Sequence, residues 1–437
     1  MNIRLYNAKI LTMEKDRPVF DGEIWIRNER IVYVGETKQL EKIFTDDKEL
    51  CIIWDKEIDC EGNLLMPGFK DAHTHSGMTF LRSYADDLPL QRWLTEKIFP
   101  MEAKLTGEDI YCFVKLAILE YLTSGITTIF DMYLMPEITA KACMDMGMRC
   151  VLTSGVNDFT SSVQAMAEEY YKWNTTSPLI SYQLGFHVEY TCQRQLLTQI
   201  SSLAHKLRAP VYVHMSETEK EVLDCKKKYG MTPPLFLDSL GMFQFGGGGF
   251  HCVHMTEDDM RVFIKRGMYV ITNPASNMKL ASGIAPLCTY LNKSIPVAIG
   301  TDGAASNNSL DMFKEMYLTA GLAKLREKDS ACISAMEVLR MATVNGSAAM
   351  RLKNADILAE GKLADIIMID LKQPNMQPIH NIPSNLVYSG SKQNVKMTMI
   401  GGKILYKDGK FFVGEEETNI YKEAEKIVCR LTGNSGR

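Results

Sequence analysis

Eight short apolar segments alternate with amphipathic stretches through the middle of this 437-residue chain. Strands that alternate with helices in this way predict repeated β/α units and a parallel sheet. Eight units close a (β/α)8 TIM barrel, an α/β fold that carries its chemistry at the carboxyl ends of the strands. We expect these strands near residues 65–72, 126–133, 149–156, 179–187, 211–216, 250–254, 269–273 and 296–301.

Turn and cap signals support this division. Thr106 to Asp109 resembles a capping box, and Gly125 is placed to end the helix that follows. That helix carries an apolar stripe formed by Ile110, Phe113, Ala117 and Tyr121. The four glycines at 246–249 predict a flexible connection into the sixth strand.

The two ends of the chain differ from the middle. Short strands are expected at 3–6, 10–12, 23–26 and 31–34, and again within 364–370 and 397–405. We therefore predict one small β-sandwich domain built from both termini, with domain bounds of 1–66, 67–351 for the barrel, and 352–437. The charged segment after Gly414 predicts a peripheral, loosely helical tail.

Composition limits the class of protein. Hydrophobic residues make up 46% and charged residues 23%, as in globular enzymes, and the formal charge of −4 gives no reason to expect nucleic acid as a partner. No apolar run approaches the ~20 residues that span a bilayer, so neither a membrane partner nor a membrane location is expected. The eleven scattered cysteines suit a reducing compartment, which predicts a cytoplasmic protein.

Histidines and one carboxylate lie at or near the ends of the expected strands. His73 and His75 are two residues apart, so both imidazoles can face one side of a strand and share a metal ion. Such a set suits a zinc-like divalent ion, which can activate water for attack on an electrophilic carbon. Amide hydrolysis, ring opening, dechlorination and deamination fit these residues equally. The other candidates are His187, His214, His251 and Asp302.

Several linked motifs carry a family resemblance. Pro67-Gly68-Phe69 leads into Asp71-Ala72-His73-Thr74-His75, and Gly300-Thr301-Asp302-Gly303 follows far downstream. With the single histidines between them, these segments resemble the amidohydrolase superfamily over nearly the whole chain. The S-adenosylhomocysteine/5′-methylthioadenosine deaminase group is most similar, and the triazine chlorohydrolases are similar over many of the same stretches. The further carrying segments are 85–94, 99–102, 214–218, 251–254, 273–280 and 301–308.

The resemblance implies a single metal, zinc or alternatively iron, held by His73, His75, His214 and Asp302. Relatives with two metals use a carboxylated lysine at the end of strand four, but this chain has no lysine between Trp173 and Arg194. Glu217 resembles the proton shuttle of the family. His251, together with Asp302, is implied to lie beside the attacking water.

The remaining site residues are also implied by the resemblance. Glu102 corresponds to a carboxylate that binds the two ribose hydroxyls, whereas a solvated helix carboxylate is the alternative. Trp93 and Ser306 resemble residues that cover the purine and bond its edge, although Trp93 could equally be core. His187 resembles a substrate-contacting histidine or is a buried structural one. His254 is expected to be structural.

His187-Val188-Glu189 also imitates the H-x-E of cytidine-type zinc deaminases. No P-C-x-x-C follows, so that fold is not expected.

One position departs from the family pattern. Members that accept S-adenosylhomocysteine carry an arginine where Ser154 stands and a second one in the next loop, whereas residues 156–173 contain no arginine here. The amino-acid carboxylate of that substrate would lack a bidentate partner. A nucleoside with a small or apolar 5′ group, such as 5′-methylthioadenosine, adenosine or 5′-deoxyadenosine, is therefore expected to be preferred.

We thus expect a hydrolytic deaminase that converts an adenine nucleoside to its inosine analogue and ammonia, with homo-oligomerisation as a further possibility. A triazine hydrolase that displaces chloride or an amine is the main alternative, followed by another purine deaminase. A non-catalytic scaffold is a third hypothesis, against which the complete metal-ligand set argues.

Overall fold

The structure is a computed structural model of the full chain. It describes residues 1–37, 44–45, 48–49, 53–158, 160 and 162–433, with only the backbone of 44–45 and 48–49.

The described strands are β1 (Asn2–Ile10), β2 (Phe20–Arg27), β3 (Arg30–Gly35), β4 (Phe44–Thr45), β5 (Lys48–Glu49), β6 (Lys56–Asp59), β7 (Leu64–Pro67), β8 (Phe69–Thr74), β9 (Ile126–Met132), β10 (Arg149–Thr153), β11 (Ile180–Val188), β12 (Val211–Met215), β13 (Gly247–His251), β14 (Tyr269–Thr272), β15 (Val297–Ile299), β16 (Ile366–Ile369), β17 (Val395–Ile400), β18 (Lys403–Lys407) and β19 (Lys410–Phe411).

The described α-helices are α1 (Leu90–Trp93), α2 (Phe99–Glu102), α3 (Gly107–Thr123), α4 (Pro136–Met146), α5 (Val163–Thr176), α6 (Arg194–Leu207), α7 (Glu219–Tyr229), α8 (Pro233–Ser239), α9 (Glu257–Arg266), α10 (Pro274–Lys279), α11 (Leu287–Asn292), α12 (Met312–Glu327), α13 (Ala335–Arg340), α14 (Gly346–Ala349), α15 (Ile382–Ser384) and α16 (Glu417–Thr432). None of them is both long and apolar enough to cross a membrane. Short 3₁₀ turns occupy Ser76–Leu81, Glu189–Thr191, Pro374–Met376 and Lys392–Asn394, and π-helical turns occupy Leu94–Ile98, Met341–Asn345 and Asn385–Ser389.

Strands β8 to β15 form the predicted eight-stranded parallel barrel, each paired with the next along the chain. The first and last strands meet at their carboxyl ends. There the Asp302 amide donates to the His73 carbonyl at 2.9 Å, and Thr74 and Asp302 form an isolated parallel β-bridge. Apolar side chains fill the interior of the barrel, namely Ala72, Phe130, Val151, Tyr212, Phe250, Ile271 and Ala298.

The predicted first strand is in fact two strands in two sheets. Leu64–Pro67 pairs with the terminal sheet, and Phe69–Thr74 begins the barrel. Gly68 separates them, and a Cβ there would lie 2.1 Å from the Thr127 side chain, so the chain turns where only a glycine leaves room for Thr127. A continuous apolar run in the sequence cannot reveal this change of sheet.

The glycine run was wrongly predicted to be a flexible connection. Gly247 to Gly249 form the start of β13, buried between β12 and β14. A Cβ on Gly247 would lie 1.9 Å from the Val211 carbonyl oxygen, so these glycines allow close approach of strands. The same strand also ends earlier than predicted, because His251 and Cys252 adopt positive φ angles of 69° and 47°.

Both ends of the chain contribute to one separate sheet, as expected. Its path runs β19-β18-β17-β16-β7-β1-β2-β3, with β6 pairing β1. Strand β1 joins two of the predicted short strands, and the expected strand at 397–405 is the hairpin of β17 and β18. The domain bounds 1–66, 67–351 and 352–437 stay a prediction.

Helix α3 has the predicted capping box of Thr106 and Asp109. The tail after Gly414 is helical, as predicted, but it is not loose, because α16 is a regular helix that packs against α3. Its Arg430 forms an ion pair with the buried Asp109, and Lys104 donates to the Leu431 carbonyl. One apolar face drives this packing, through Ile420, Ala424, Ile427 and Leu431.

A buried ion pair joins the barrel to the terminal sheet. Arg149, at the start of β10, donates to both carboxylate oxygens of Asp365 at 2.7 and 3.0 Å. It also donates to the Pro178 carbonyl, and the Gly401 amide donates to Asp365. Burial alone raises the pKa of Asp365, but the Arg149 guanidinium reverses that effect and the pKa is lowered.

Arg149→Met is expected to lower the free energy of unfolding by ~3–5 kcal/mol, because it leaves the Asp365 carboxylate buried without its cation. The control is Arg261→Met, which breaks an exposed pair with Asp258 and should cost no more than ~1 kcal/mol. Urea denaturation followed by circular dichroism measures both. An Arg149→Met loss as small as the control's would contradict this role.

Candidate active site

Four buried side chains converge at the carboxyl ends of the barrel strands. One potential ligand atom from each of His73, His214, His251 and Asp302 lies within 4.8 Å of the others. His73 lies on β8, His214 on β12 and His251 at the end of β13, whereas Asp302 follows β15. Parallel strands deliver these residues to one point although they are far apart in sequence.

The distances within this group are short. His73 Nε2 lies 3.1 Å from His214 Nε2 and 3.4 Å from Asp302 Oδ1. His75 Nε2 lies 3.0 Å from the same Asp302 oxygen. The compact group therefore contains His251, whereas the predicted ligand His75 is not part of it but lies beside it, in contact with Asp302.

Hydrogen bonds orient the imidazoles. His214 Nδ1 lies 2.8 Å from the His187 carbonyl oxygen, and His251 Nδ1 lies 2.7 Å from Asn277 Oδ1. His75 Nδ1 contacts the Met132 carbonyl in the same way. Because Nδ1 carries the proton in such a bond, Nε2 keeps its lone pair for a ligand.

The charge state also fits a cation. Burial lowers the pKa of His73 to about 3, so this imidazole is neutral. Burial would raise the pKa of Asp302, but the adjacent His73 and His75 imidazoles reverse that effect and keep the pKa well below its usual value. Although burial opposes it, the Asp302 carboxylate raises the pKa of His75 to about 9, so His75 must give up its proton to bind a cation. Neutral imidazoles such as that of His73 and an ionised carboxylate such as that of Asp302 are donors that zinc and similar divalent ions bind. The buried group fits a divalent metal.

Two serines fix the Asp302 carboxylate. The hydroxyls of Ser276 and Ser306 donate to Asp302 Oδ2 at 2.6 and 2.8 Å. This leaves Oδ1 directed toward the histidines. The Ser306 hydroxyl, expected at the edge of a purine, is therefore engaged with Asp302, and its contact with a purine stays a prediction.

Glu217 lies at the edge of the same group. Its Oε2 is 4.0 Å from His251 Nε2, and its Oε1 accepts a 3.0 Å hydrogen bond from the Ser282 hydroxyl. The backbone here is held by Glu221, whose carboxylate accepts from the amides of Ser216 and Glu217. Ser216 has a φ of 50°, so Glu221 stabilises a turn that few side chains adopt.

A cavity of about 770 Å³ opens onto these residues. It is large enough for a nucleoside-sized ligand. Four residues expected to contact substrate line it, namely Trp93, Glu102, His187 and Ser306, together with His75, His214, His251, Glu217 and Asp302.

Glu102 lies at the end of α2, in the cavity wall. Burial raises its pKa to about 7, and the Tyr133 phenol and His75 are its polar neighbours. The carboxylate therefore lies inside the cavity and is not the solvated helix carboxylate of the alternative interpretation.

His187 and Trp93 both line the cavity, and each also has a structural role. The His187 carbonyl holds His214, its ring lies 3.3 Å from the Thr191 hydroxyl, and burial lowers its pKa to about 4. Trp93 is 5% exposed and packs in the main apolar core. His254 lies past the end of β13, and its Nε2 contacts the Ser282 carbonyl at 2.7 Å.

Sequence reasoning missed the residues that position the group. Ser276 and Asn277 hold Asp302 and His251, Ser282 holds Glu217, and Glu221 holds the preceding turn. Ser276 and Asn277 stand inside the motif at 273–280, so the signal was present, but a motif does not state which atoms meet.

The amidohydrolase family profile matches residues 64–405. This chain belongs to the amidohydrolase family. The match includes the whole barrel and most of the terminal sheet strands that follow it.

Named relatives extend nearly the full length of the chain. A 5-methylthioadenosine/S-adenosylhomocysteine deaminase from Caldicellulosiruptor saccharolyticus is 38% identical, covering 98% of this chain and 99% of that protein. A 5′-deoxyadenosine deaminase from Methanothermobacter thermautotrophicus is 39% identical over 87% of this chain and 90% of its own. The crystal structure of a Xanthomonas campestris adenosine deaminase with bound zinc superimposes with a TM-score of 0.90 at 31% identity. The superposition covers 99% of this chain and 98% of that chain.

His73→Ala and Asp302→Ala are each expected to reduce bound metal to a small fraction of the wild-type stoichiometry, since removing one ligand of such a site typically weakens it by 10-fold or more. His380→Ala, a change at an exposed histidine outside the cavity, is the control. Elemental analysis of purified protein after zinc supplementation measures the content. Full stoichiometry in both ligand variants would exclude this group as the site.

Proposed function

We propose that this protein is a metal-dependent hydrolase of cyclic amidines, a deaminase that converts an adenine nucleoside to its inosine analogue with release of ammonia. The observation that carries the proposal is the position of Glu217. Its carboxylate adjoins both the metal-binding group and the cavity, where it can reach a substrate held there. The deaminase names of full-length relatives support the same reaction.

A single divalent ion, zinc or alternatively iron, would be held by His73, His214 and Asp302 with His75. When bound, such an ion lowers the pKa of water and thereby supplies a nucleophile near neutral pH. His251 and Asp302, whose ligand atoms lie in the same group, would orient the attacking water. Asn277 keeps the His251 ring in position.

Glu217 moves the protons in this mechanism. Its carboxylate takes one proton from the attacking water and gives it to the ring nitrogen beside C6. It then takes the second proton from the new C6 hydroxyl and delivers it to the amine as the C6–N bond breaks, which leaves the C6 carbonyl and ammonia. Ser282 donates to Oε1, which leaves Oε2 on the His251 side as the oxygen that carries the proton. One residue can serve both transfers because the ring nitrogen and the exocyclic amine are both bonded to C6.

Glu102 would bind the two ribose hydroxyls, since a carboxylate offers two acceptor oxygens. His187, Trp93 and Ser306 would surround the purine, as their places in the cavity wall allow. The 5′ end would extend toward Ser154, which also lines the cavity. No described lysine or arginine lines it, which supports 5′-methylthioadenosine, adenosine or 5′-deoxyadenosine over S-adenosylhomocysteine as the preferred substrate.

Glu102 distinguishes the deaminase from a triazine hydrolase, because a triazine has no ribose to clamp. A deaminase of free purine bases has no use for the clamp either. The convergent metal ligands argue against a non-catalytic scaffold. A cytoplasmic location and a homo-oligomeric state stay predictions. The expectation that the protein binds a small-molecule substrate, and neither nucleic acid nor a membrane, is also a prediction.

Loss of adenine absorbance tests the proposal directly. The zinc-loaded protein is screened with adenosine, 5′-deoxyadenosine, 5′-methylthioadenosine, S-adenosylhomocysteine, free adenine and a chlorotriazine. Turnover of the nucleosides with ammonia release is expected. Turnover of the triazine alone would establish the alternative, and equal turnover of adenine and adenosine would exclude the ribose clamp.

Glu102→Ala is expected to raise KM for adenine nucleosides by roughly 10-fold or more, because two hydrogen bonds to ribose are lost. The kcat value falls as well if ribose binding orients the purine. Glu108→Ala, at an exposed glutamate nearby on α3, is the control and should keep both constants. Steady-state kinetics with 5′-methylthioadenosine measures the effect; an unchanged KM would remove Glu102 from the binding site.

Glu217→Gln should retain the metal and the fold but lower kcat at least ~10²-fold, since the amide cannot carry the proton. The neighbouring exposed Glu219→Gln is the matched control. Metal content, circular dichroism and kcat are measured on the same preparations. Activity close to wild type in Glu217→Gln would assign proton transfer to another group.

A further inference from the structure

Apart from the histidines, the ionisable side chains of the cavity wall that carry charge are all acidic. Its acidic side chains are Glu102, Glu137, Glu169, Glu217 and Asp302, and among the described residues no lysine or arginine joins them. Glu102, Glu217 and Asp302 are accounted for by the ribose, the protons and the metal. Glu137 is exposed at the start of α4, on the rim. Glu169 has no place in the proposed mechanism.

Glu169 lies on α5, away from the metal-binding group. Tyr182, on β11, lies close enough to Glu169 to be influenced by its charge, and Ser154, just after β10, lies beside Tyr182. All three residues line the cavity, and neither β10 nor β11 carries a residue of the metal-binding group. Half-buried Glu169 accepts a hydrogen bond from the Trp173 indole through one carboxylate oxygen. That bond fixes the carboxylate without neutralising it.

No described cation forms an ion pair with Glu169 within 4.0 Å. Lys172, on the same helix, lies 4.2 Å over the Trp173 ring and does not line the cavity. The negative charge of Glu169 is therefore available to a ligand in the cavity.

Tyr182 provides a second, independent indication of a ligand. Its side chain is fully buried in the cavity wall, and its hydroxyl has no hydrogen bond of good geometry, although the Ser154 side chain lies beside it. A buried hydroxyl without a partner is uncommon, because burial removes its hydrogen bonds to water and nothing replaces them. A bound polar group would satisfy it.

We infer that Glu169, Ser154 and Tyr182 form a subsite that selects adenine nucleosides by the charge of the 5′ substituent, accepting neutral and cationic ends and disfavouring anionic ones. This inference rests on the proposed deaminase function and names its substrate class. A carboxylate or phosphate would have to approach Glu169 without a compensating cation, whereas an ammonium would gain a charge-assisted hydrogen bond.

Three adenosine 5′-thioethers of similar length test the subsite, carrying S-propyl, S-(2-aminoethyl) and S-(carboxymethyl) groups. With the zinc-loaded wild-type protein, kcat/KM should be at least about fivefold higher for the amine than for the carboxylate, the effect of one partly buried charge. Added salt should reduce this ratio.

Glu169→Gln should shift the amine-to-carboxylate ratio toward the carboxylate by a similar factor, because it keeps the shape and removes the charge. Glu168→Gln, its exposed neighbour outside the cavity, should leave the ratio unchanged. Ser154→Arg is the reverse test, since an arginine there should favour the carboxylate further. Tyr182→Phe should lower kcat/KM for the amine and carboxylate more than for the propyl compound.

The outcomes separate the two proposals. If no adenine nucleoside is deaminated, the proposed function fails and this subsite fails with it. If the nucleosides are deaminated but all three thioethers react equally, or Glu169→Gln changes all three by one factor, only the charge selection is overturned. A ratio that depends on Glu169 and on salt supports it.

Discussion

The seam between the first and last barrel strands is the interaction on which the site depends. The Asp302 amide bonds to the His73 carbonyl, and Asp71 accepts bonds from the amide and hydroxyl of Thr301. A Cβ on Gly300 would lie 2.7 Å from the His73 carbonyl oxygen, so a side chain there would push the strands apart. The contacts that close the barrel are thus the same ones that place the Asp302 carboxylate beside His73.

Around this seam the protein buries carboxylates, each of which needs polar partners. Glu315 accepts from the Ala275 amide and from Asn307, and Asn307 in turn donates to the Thr301 carbonyl. Burial raises the pKa of Glu315 to about 8 and that of Asp71 to about 7. Such a network suits an active site, because the side chains that orient the ligands are themselves held by backbone groups.

The residues proposed to select the substrate lie on different elements from the metal-binding group. The strands carry the metal-binding residues, whereas Glu102 and Glu169 lie on helices that follow β8 and β10. Loops and helices after barrel strands can change without disturbing the seam, which allows one catalytic centre to serve different substrates. Ser154 and Glu169, which both line the cavity, belong to such segments.

The sequence by itself determined the barrel, the terminal sheet and the identity of the converging histidines, because apolar periodicity and strand-end positions are local properties. Only the tertiary structure decided what depends on contacts between distant segments. It split the first strand at Gly68, placed the glycine run inside β13 and packed α16 on α3. It also brought Ser276, Asn277 and Ser282 to the ligands, since a hydrogen bond between residues remote in sequence exists only once the chain has folded.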